Sequence, residues 1–478
     1  MPRIQLQELL NSLPTQDAVT VNALLHEEAS KTPGKIVVLD DDPTGIQTVH
    51  GVHVYTDWSV ESIRQGFAEE NRVFYLLTNS RSFTVEQTTA AHKEIAVNIA
   101  AVSKETGIPF VVILRGDSTL RGHYPLETVT VRDTLEELLD VQFDGEILCP
   151  FFLEGGRYTA GDIHYVEDGG ILLPAGETEF AKDKTFGYHS SNLADYIAEK
   201  TGHAVDVQSV SLDMLRSQSY DQIYDILMGM TDYGRTIVNA VSYADLAVFA
   251  VAFYRALQQG RHFMIRSSAS LVKVLGCISD KPLLNAADLG IENNTCGGLI
   301  MAGSHTQKTT SQLEELLKLP YVKCITFNQH LVFQPKAFTA EIQRVINEAD
   351  SLIGQGQTVV VMTRRERIDA NTGNPEDDLR IAVTISEAIT SIVANLKHAP
   401  SFLVAKGGIT SSDIGTKALK VKCATAMGQI LPGIPVWQTG SESTFPGLPY
   451  VIFPGNVGKT DSLKLIVEKL SSQKGATL

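Results

Sequence analysis

"KIVVLDDDPTG", residues 35–45, decides how this chain is read. An apolar run, Ile36 to Leu39, stops on three adjacent carboxylates, Asp40, Asp41 and Asp42, and a Pro-Thr-Gly turn comes next. A continuous β-rich run without polar alternation suits a strand buried on both faces, the habit of parallel sheets covered by helices. The same form, ending in Gly, Asp, Asn, Ser or Arg, recurs in "VFYLLTNSRS", "PFVVILRGDS", "EILCPFF", "GGLIMAGSH", "TVVVMTRRE", "SFLVAKGGITSS" and "YVIFPGN". Amphipathic helices fill the gaps. Thr84 and Gln87 have capping-box spacing ahead of a stripe of Ile95, Ile99 and Val102. Ile342, Val345, Ile346, Ala349, Leu352 and Ile353 mark a second helix, closed by "GQGQ". The alternation predicts two α/β domains with largely parallel sheets covered by helices. In such sheets ligands bind at the carboxyl ends of the strands, where these polar loops lie.

At 478 residues the chain is too long for one ordinary domain. Apolar periodicity lapses over residues 275–298, in "LGCISDKPLLNAADLGIENNTCGG", which sets the expected boundary. The expected parts are a helical extension over 1–32, a larger domain over 33–285 and a smaller one over 286–478. A formal net charge of −15 disfavours general affinity for nucleic acid or anionic membranes, so cations at any anion site must be gathered locally. Five scattered cysteines without a C-x-x-C pair argue against a disulfide framework or structural zinc. No apolar run reaches the roughly 18 residues of a membrane span. These features suit a soluble cytoplasmic protein; a homodimer is expected only because closed two-fold assemblies are common.

Three groups of loops carry chemistry. Ionised carboxylates side by side in "DDDPTG" need a metal, strong donors, cations or solvent around them. They read either as an Asp-initiated turn or as a grip, by Asp41 or Asp42, on a polyhydroxylated substrate or on Mg2+. The second group is "LRGDSTLRGHYPLE", which puts Arg115, Asp117, Ser118, Thr119 and Arg121 directly after an apolar run; "TNSRSF" adds Arg81, and "FFLEGGRYTAGDIHYV" adds Arg157 and His164. Guanidinium groups recognise carboxylates, and Asp, Ser and Thr suit sugar hydroxyls, so a small hydroxy acid would satisfy both sets. The third group is the glycine-bearing loops "AGSHTQKTTSQ", "AKGGITSSDIG" and "FPGNVGKTD", which together suggest a nucleotide site. The last is no P-loop, because Phe453 stands where a Walker A motif needs glycine.

These segments resemble the four-carbon acid sugar kinase family, long described as a domain of unknown function, which includes D-threonate, D-erythronate and 3-oxo-tetronate kinases. "DDPTG" looks like its D-D-[LF]-T-G, "GDSTLRG" its [KI]-D-S-T-L-R-G, and "EGGRYTAGDIHYV" its E-A-G-R-x-T-x-x-G-x-H-Y-V. "AGSHTQKTTSQ" is similar to S-G-S-C-S-x-x-T-x-x-Q, "KGGITSS" to G-G-[DE]-T-S, and "PGNVG" to K-S-G-N-F-G. The resemblance implies a sugar-acid-binding N-terminal domain, an ATP-binding C-terminal domain and an active site in the cleft between them. Asp41, Asp42, Arg81, Arg115, Asp117, Ser118, Thr119, Arg121 and Arg157 would then meet the substrate, with Asp117 as candidate base. Ser304, Thr306, Gly407, Gly408, Ile409, Thr410, Gly455 and Asn456 would contact ATP, used with Mg2+. Ile409 replaces the pattern's acidic residue, with Asp413 a substitute; His305 replaces its cysteine, and Phe453 and Pro454 its lysine and serine.

The expected activity is ATP-dependent phosphorylation of a sugar-acid hydroxyl. Two alternatives stand beside it. "VVLDDDPT" also satisfies the D-x-D-x-T of haloacid-dehalogenase-like phosphatases, with Asp40 as nucleophile and Asp377 and Asp378 as a later acidic pair. A non-catalytic sugar-acid-binding protein is the other.

Overall fold

Lys35–Asp40 is a strand, β1, buried along its whole length, as an unbroken apolar run requires. The structure is a computed structural model that describes residues 3–366, 368, 375–455 and 457–471. The chain divides into two compact units, Met1–Asp280 and Lys281–Leu478.

In the first unit β1 is joined by β2 (His53–Tyr55), β3 (Val73–Leu77), β4 (Phe110–Arg115), β5 (Gly145–Cys149), β6 (Val207–Val210), β7 (Gly234–Val238) and β8 (Phe263–Ser267). They lie in the order β6-β7-β5-β8-β4-β1-β3-β2, and every neighbouring pair is parallel. Asp40, Leu77, Arg115 and Ser267 therefore finish at the same edge, and the loops after them converge there. The helix Val85–Thr106 opens with the expected capping box, Thr84 and Gln87 each satisfying the other's backbone, and buries Ile95, Ile99 and Val102. The expected helical preface is partly a strand: Ile4–Gln5 pairs with Ile171 and Leu172 before the helices Leu6–Ser12 and Ala18–Ser30 begin.

In the second unit β9 (Leu299–Ala302), β10 (Val322–Phe327), β11 (Thr358–Thr363), β12 (Leu403–Lys406), β13 (Cys423–Leu431), β14 (Ile434–Thr439) and β15 (Pro449–Phe453) run in the order β13-β14-β15-β12-β9-β11-β10. The pairs from β15 to β10 are parallel, and β13 and β14 add an antiparallel hairpin. Ala302, Thr363, Lys406 and Phe453 finish together at one edge.

Several strands escape the continuous-run template for physical reasons. β13 alternates buried and partly exposed positions, as a sheet solvated on one side does. β7 and β8 carry the charges Arg235 and Arg266 inside, each offset by a buried partner. The stretch read as a polar loop at Arg157 and His164 is itself a sheet: Arg157–Ala160, Ile163–Asp168 and Ile171–Pro174 form an antiparallel meander.

Candidate functional site

The three carboxylates of "DDDPTG" have different fates. Asp40, 1% exposed, accepts from Arg115 Nη1 at 3.2 Å, and Gly45 packs so closely on its carboxylate that a Cβ there would overlap both oxygens. Burial pushes its pKa up to about 7 against the pull of Arg115. Asp41 and Asp42 face Arg81, which lies just past β3: Nη2 and Nε of Arg81 grip the two oxygens of Asp41 at 2.6 and 3.2 Å, and Nη1 reaches Asp42 at 3.3 Å. Such a fork fixes direction as well as charge. Burial raises the Asp41 pKa; burial would raise that of Asp42 too, but Arg81 and the Thr44 donors bring it below the ordinary value. Thr44 donates from both its N–H and its hydroxyl to Asp42, the Asp-turn that the sequence suggested.

After β4, Asp117 accepts from the Thr119 hydroxyl and from Arg121 Nε at 2.6 Å. Burial opposes its ionisation, yet Arg81, Arg121 and the Thr119 hydroxyl together hold its pKa well below the usual carboxylate range. The backbone of this loop is pinned at three successive carbonyls: Ser118 accepts from His164 Nε2 at 2.7 Å, Thr119 from the Tyr188 hydroxyl at 2.8 Å, and Leu120 from the Tyr196 hydroxyl at 2.9 Å. His164 receives the Thr159 hydroxyl on its other nitrogen, and burial drops its pKa to about 4, so it is a neutral support. The sequence reading missed Tyr188 and Tyr196, which lie well downstream of the loop they hold.

Two glycines of "RGDSTLRG" answer to a residue far away in sequence. Arg266, at the end of β8, lies where a Cβ on Gly116 would overlap its guanidinium, and a Cβ on Gly122 would stand 2.8 Å from its Nη2 and 3.4 Å from Asp41 Oδ2. Gly122 also has φ +131°, which L side chains rarely adopt. Arg266 donates to Glu127 at 2.5 Å, and Glu127 also takes the Ser80 hydroxyl at 2.6 Å. Arg115 lies deeper than Arg81 and Arg121. At 3% exposure it pairs with Asp40, Asp41 and Gln47 and braces the loop from inside. Arg81 and Arg121, with side chains 22% and 21% exposed, keep an accessible edge. Arg157 stacks over Phe180 beside Arg121.

In the second unit, Thr306 caps the ten-residue helix Gln307–Leu316, accepting the Thr309 N–H at 3.3 Å, and Ser304 donates to the Thr306 hydroxyl. Gly407, at φ +112°, turns the chain from β12 into the helix Gly408–Asp413. A Cβ on Gly303 would stand 3.7 Å from the Thr410 hydroxyl and one on Gly407 3.8 Å from it, so the "AGSH" and "KGGIT" loops meet at Thr410. The side chain of Ile409 and the whole of Asn456 lie outside the described residues. Asp413, the residue expected to stand in for the missing acid, is held by Ser386 at 2.9 Å and Lys417 at 2.7 Å.

Lys406 was not among the sequence candidates, although it stands within "SFLVAKGGITSS". It is in register with Phe453, its Nζ lies 3.9 Å from that ring's centroid, and it donates to the carbonyls of Pro454 at 2.7 Å and Gly455 at 3.3 Å. Among the described residues no carboxylate pairs with it, and burial, aided by Lys308, lowers its pKa to about 7. A signal was present in the sequence: the pattern's lysine is absent at 453, and one stands on the adjacent strand.

A family model for a sugar-binding N-terminal domain matches residues 36–275, and one for a nucleotide-binding C-terminal domain matches residues 299–463. The chain belongs to this family, also called DUF1537. Among solved structures, a DUF1537 protein from Haemophilus influenzae is similar over 91% of this chain and 100% of its own, at 15% identity and a TM-score of 0.60. A Salmonella typhimurium LT2 protein proposed to be a tRNA synthase is similar over 91% of this chain and 99% of its own, at 13% identity and a TM-score of 0.66. Identities this low establish the shared fold of DUF1537 proteins and nothing about substrate. No curated protein matches the sequence. The carboxylate and arginine loops thus sit in the sugar-binding domain, and the glycine-bearing loops in the nucleotide-binding domain. Among the described residues no helix is long and apolar enough to cross a membrane.

Proposed function

We propose that this DUF1537 protein is an ATP-dependent kinase that phosphorylates a hydroxyl of a four-carbon sugar acid. The observation that carries the reading is the joining, in one chain, of a sugar-binding and a nucleotide-binding domain whose strand ends bear complementary donor sets. Asp41, Asp42, Ser118 and Thr119 suit hydroxyls, and Arg81, Arg121 and Arg157 suit an acid. The Ser304 to Thr306 turn, the Gly407 to Thr410 loop and Gly455, with Asn456, suit the triphosphate, since N–H groups at a helix start and close backbone approach favour anions. Asp117, kept ionised by its arginines, would accept the hydroxyl proton as phosphoryl transfer proceeds.

Mg2+ would arrive with the nucleotide and supply charge neutralisation. Among the described residues no three of His, Cys, Asp and Glu gather as a metal cage, which suits an ion held largely by phosphates. Incubation of the purified protein with Mg-ATP and D-threonate, D-erythronate and their oxo derivatives, read by ADP release, tests the proposal; absence of turnover on every acid would refute it.

Two observations weigh against the phosphatase alternative. Asp40 is closed off by Gly45 and paired with Arg115, and Asp377 and Asp378 fall on the helix Pro375–Ala394 instead of after a strand. A non-catalytic binding protein remains the second reading, kept by the altered loop residues His305, Phe453 and Pro454; it would bind the acid and release no ADP.

A further inference from the structure

The sugar-binding domain gathers five arginines around its strand-end loops, and four of them are spoken for. Arg81 is forked onto Asp41 and Asp42, Arg115 onto Asp40, Arg121 onto Asp117, and Arg266 onto Glu127. Arg157 alone has no hydrogen bond or ion pair through its guanidinium among the described residues, and its Nε is buried with no acceptor. The acidic groups in its field, Asp117 and Glu167, make no ion pair with it. Asp117 is bound by Thr119 and Arg121, and Glu167 gives an oxygen to the Gly170 N–H at 2.6 Å. Burial depresses the Arg157 pKa, the mark of a cation short of compensation.

A second observation comes from Phe180. The guanidinium carbons of Arg121 and Arg157 lie 5.1 and 5.7 Å from the same ring centroid, so two like charges flank one aromatic wall. Arg121 is the only cation among the strongest influences on Arg157, and it acts to lower its pKa. Buried charges are normally paired, and Arg157 shares the Phe180 wall with a second guanidinium, itself paired with Asp117, while making no ion pair of its own among the described residues, a costly arrangement unless a ligand completes it. Guanidinium geometry selects a planar carboxylate held by two parallel bonds.

We infer that Arg157, with Arg121 and the Phe180 ring, forms the subsite for the carboxylate of the substrate, and that Arg157 makes the domain select hydroxy acids over neutral polyols. The inference rests on the sugar-acid reading above and gives it a recognition element. Asp41, Asp42 and Asp117 remain the hydroxyl partners, since a carboxylate placed on them would meet like charge.

Calorimetric titration of the full chain without nucleotide, using D-erythronate and D-threonate as acids and erythritol as the neutral polyol, tests this. Wild type binds an acid and R157M binds it about 100-fold more weakly, the usual scale for truncating one partner of a buried, hydrogen-bonded charge pair. R157K, which keeps the charge but not the fork, lies between the two. Erythritol binds wild type and R157M equally weakly. Thermal melts of both variants establish that they are folded. The inference is overturned if folded R157M holds the acids as tightly as wild type, if wild type holds erythritol as tightly as erythronate, or if wild type binds neither acid. Because no ATP is present, Arg157-dependent acid binding without later ADP release would sink the kinase reading alone.

Discussion

Gly45 lies directly against the carboxylate of Asp40, so that a Cβ at 45 would overlap both carboxylate oxygens. The glycine of "DDDPTG" is thus required by the aspartate five residues before it. Asp40 cannot withdraw, because Arg115 holds it within the core. Gly45→Ala therefore forces the ion pair apart or the turn outward and costs about 1–3 kcal/mol, the scale of overpacking a fixed interior. Urea unfolding of the variant against wild type measures it, and a difference within error would mean that the turn yields freely.

Asp40 leaves a signature in pH. Its folded pKa of about 7 exceeds the ordinary value of 3.8, so the folded state holds a proton that the unfolded chain releases. Its stabilising contribution is complete below about pH 4 and is lost as pH rises through 7. Denaturation at pH 4.5, 6 and 7.5 should show this decline, and Asp40→Asn should remove it. Phosphorylation by the folded Asn variant should persist within a few-fold, whereas a phosphatase using Asp40 as nucleophile would be inactive.

Lys406 works with the opposite sign. Its folded pKa of about 7 lies below the ordinary 10.5, so the unfolded chain binds the extra proton between these values. Folding stability should therefore rise from pH 7 towards pH 10, and Lys406→Met should flatten that rise. The same variant frees the Pro454 and Gly455 carbonyls, and ATP should bind about 10-fold more weakly, as loss of one charge-assisted clasp of about 1.4 kcal/mol implies. Fluorescent-nucleotide titration provides the comparison.

Asp117 is held ionised well below neutrality, so any fall in rate between pH 5 and 8 must come from another group. Asp117→Asn should lower kcat by about 100-fold to 10,000-fold, the range for a lost general base. A pH–rate profile of wild type with an acid limb near pH 6 that vanishes in the Asn variant would contradict this assignment.

Arg81→Lys replaces a three-bond fork on Asp41 and Asp42 with a single ammonium. The two carboxylates then lose their fixed spacing, and kcat/KM for the acid should fall by roughly 100-fold, the cost of misplacing a binding group by about 1 Å. Steady-state kinetics at fixed ATP reads this out.

How legible the site was depended on sequence distance. The loop after each apolar run comes directly after its strand, so "DDDPTG", "TNSRSF" and "GDSTLRG" could be found by eye, and parallel pairing brings their first residues to one edge. The supports could not. Tyr188, Tyr196 and Arg266 look like ordinary core and strand residues until the fold sets their polar tips against Thr119, Leu120 and the two glycines. Arg115 and Arg81 looked equivalent in the sequence, and burial alone separated them.

By itself the sequence determined the α/β alternation, the parallel habit of the buried strands, and the loops that carry charge and glycine, because hydrophobic period and turn chemistry are local properties. Tertiary structure decided which charges are satisfied. It turned Asp40 inward onto Arg115 and Gly45 and set Asp41 and Asp42 on Arg81. It also placed Lys406 beneath the loop whose own lysine is missing, and left the Arg157 guanidinium without an ion-pair or hydrogen-bond partner among the described residues. Pairing of that kind depends on which residues burial brings within a few ångströms, and chain order does not record that distance.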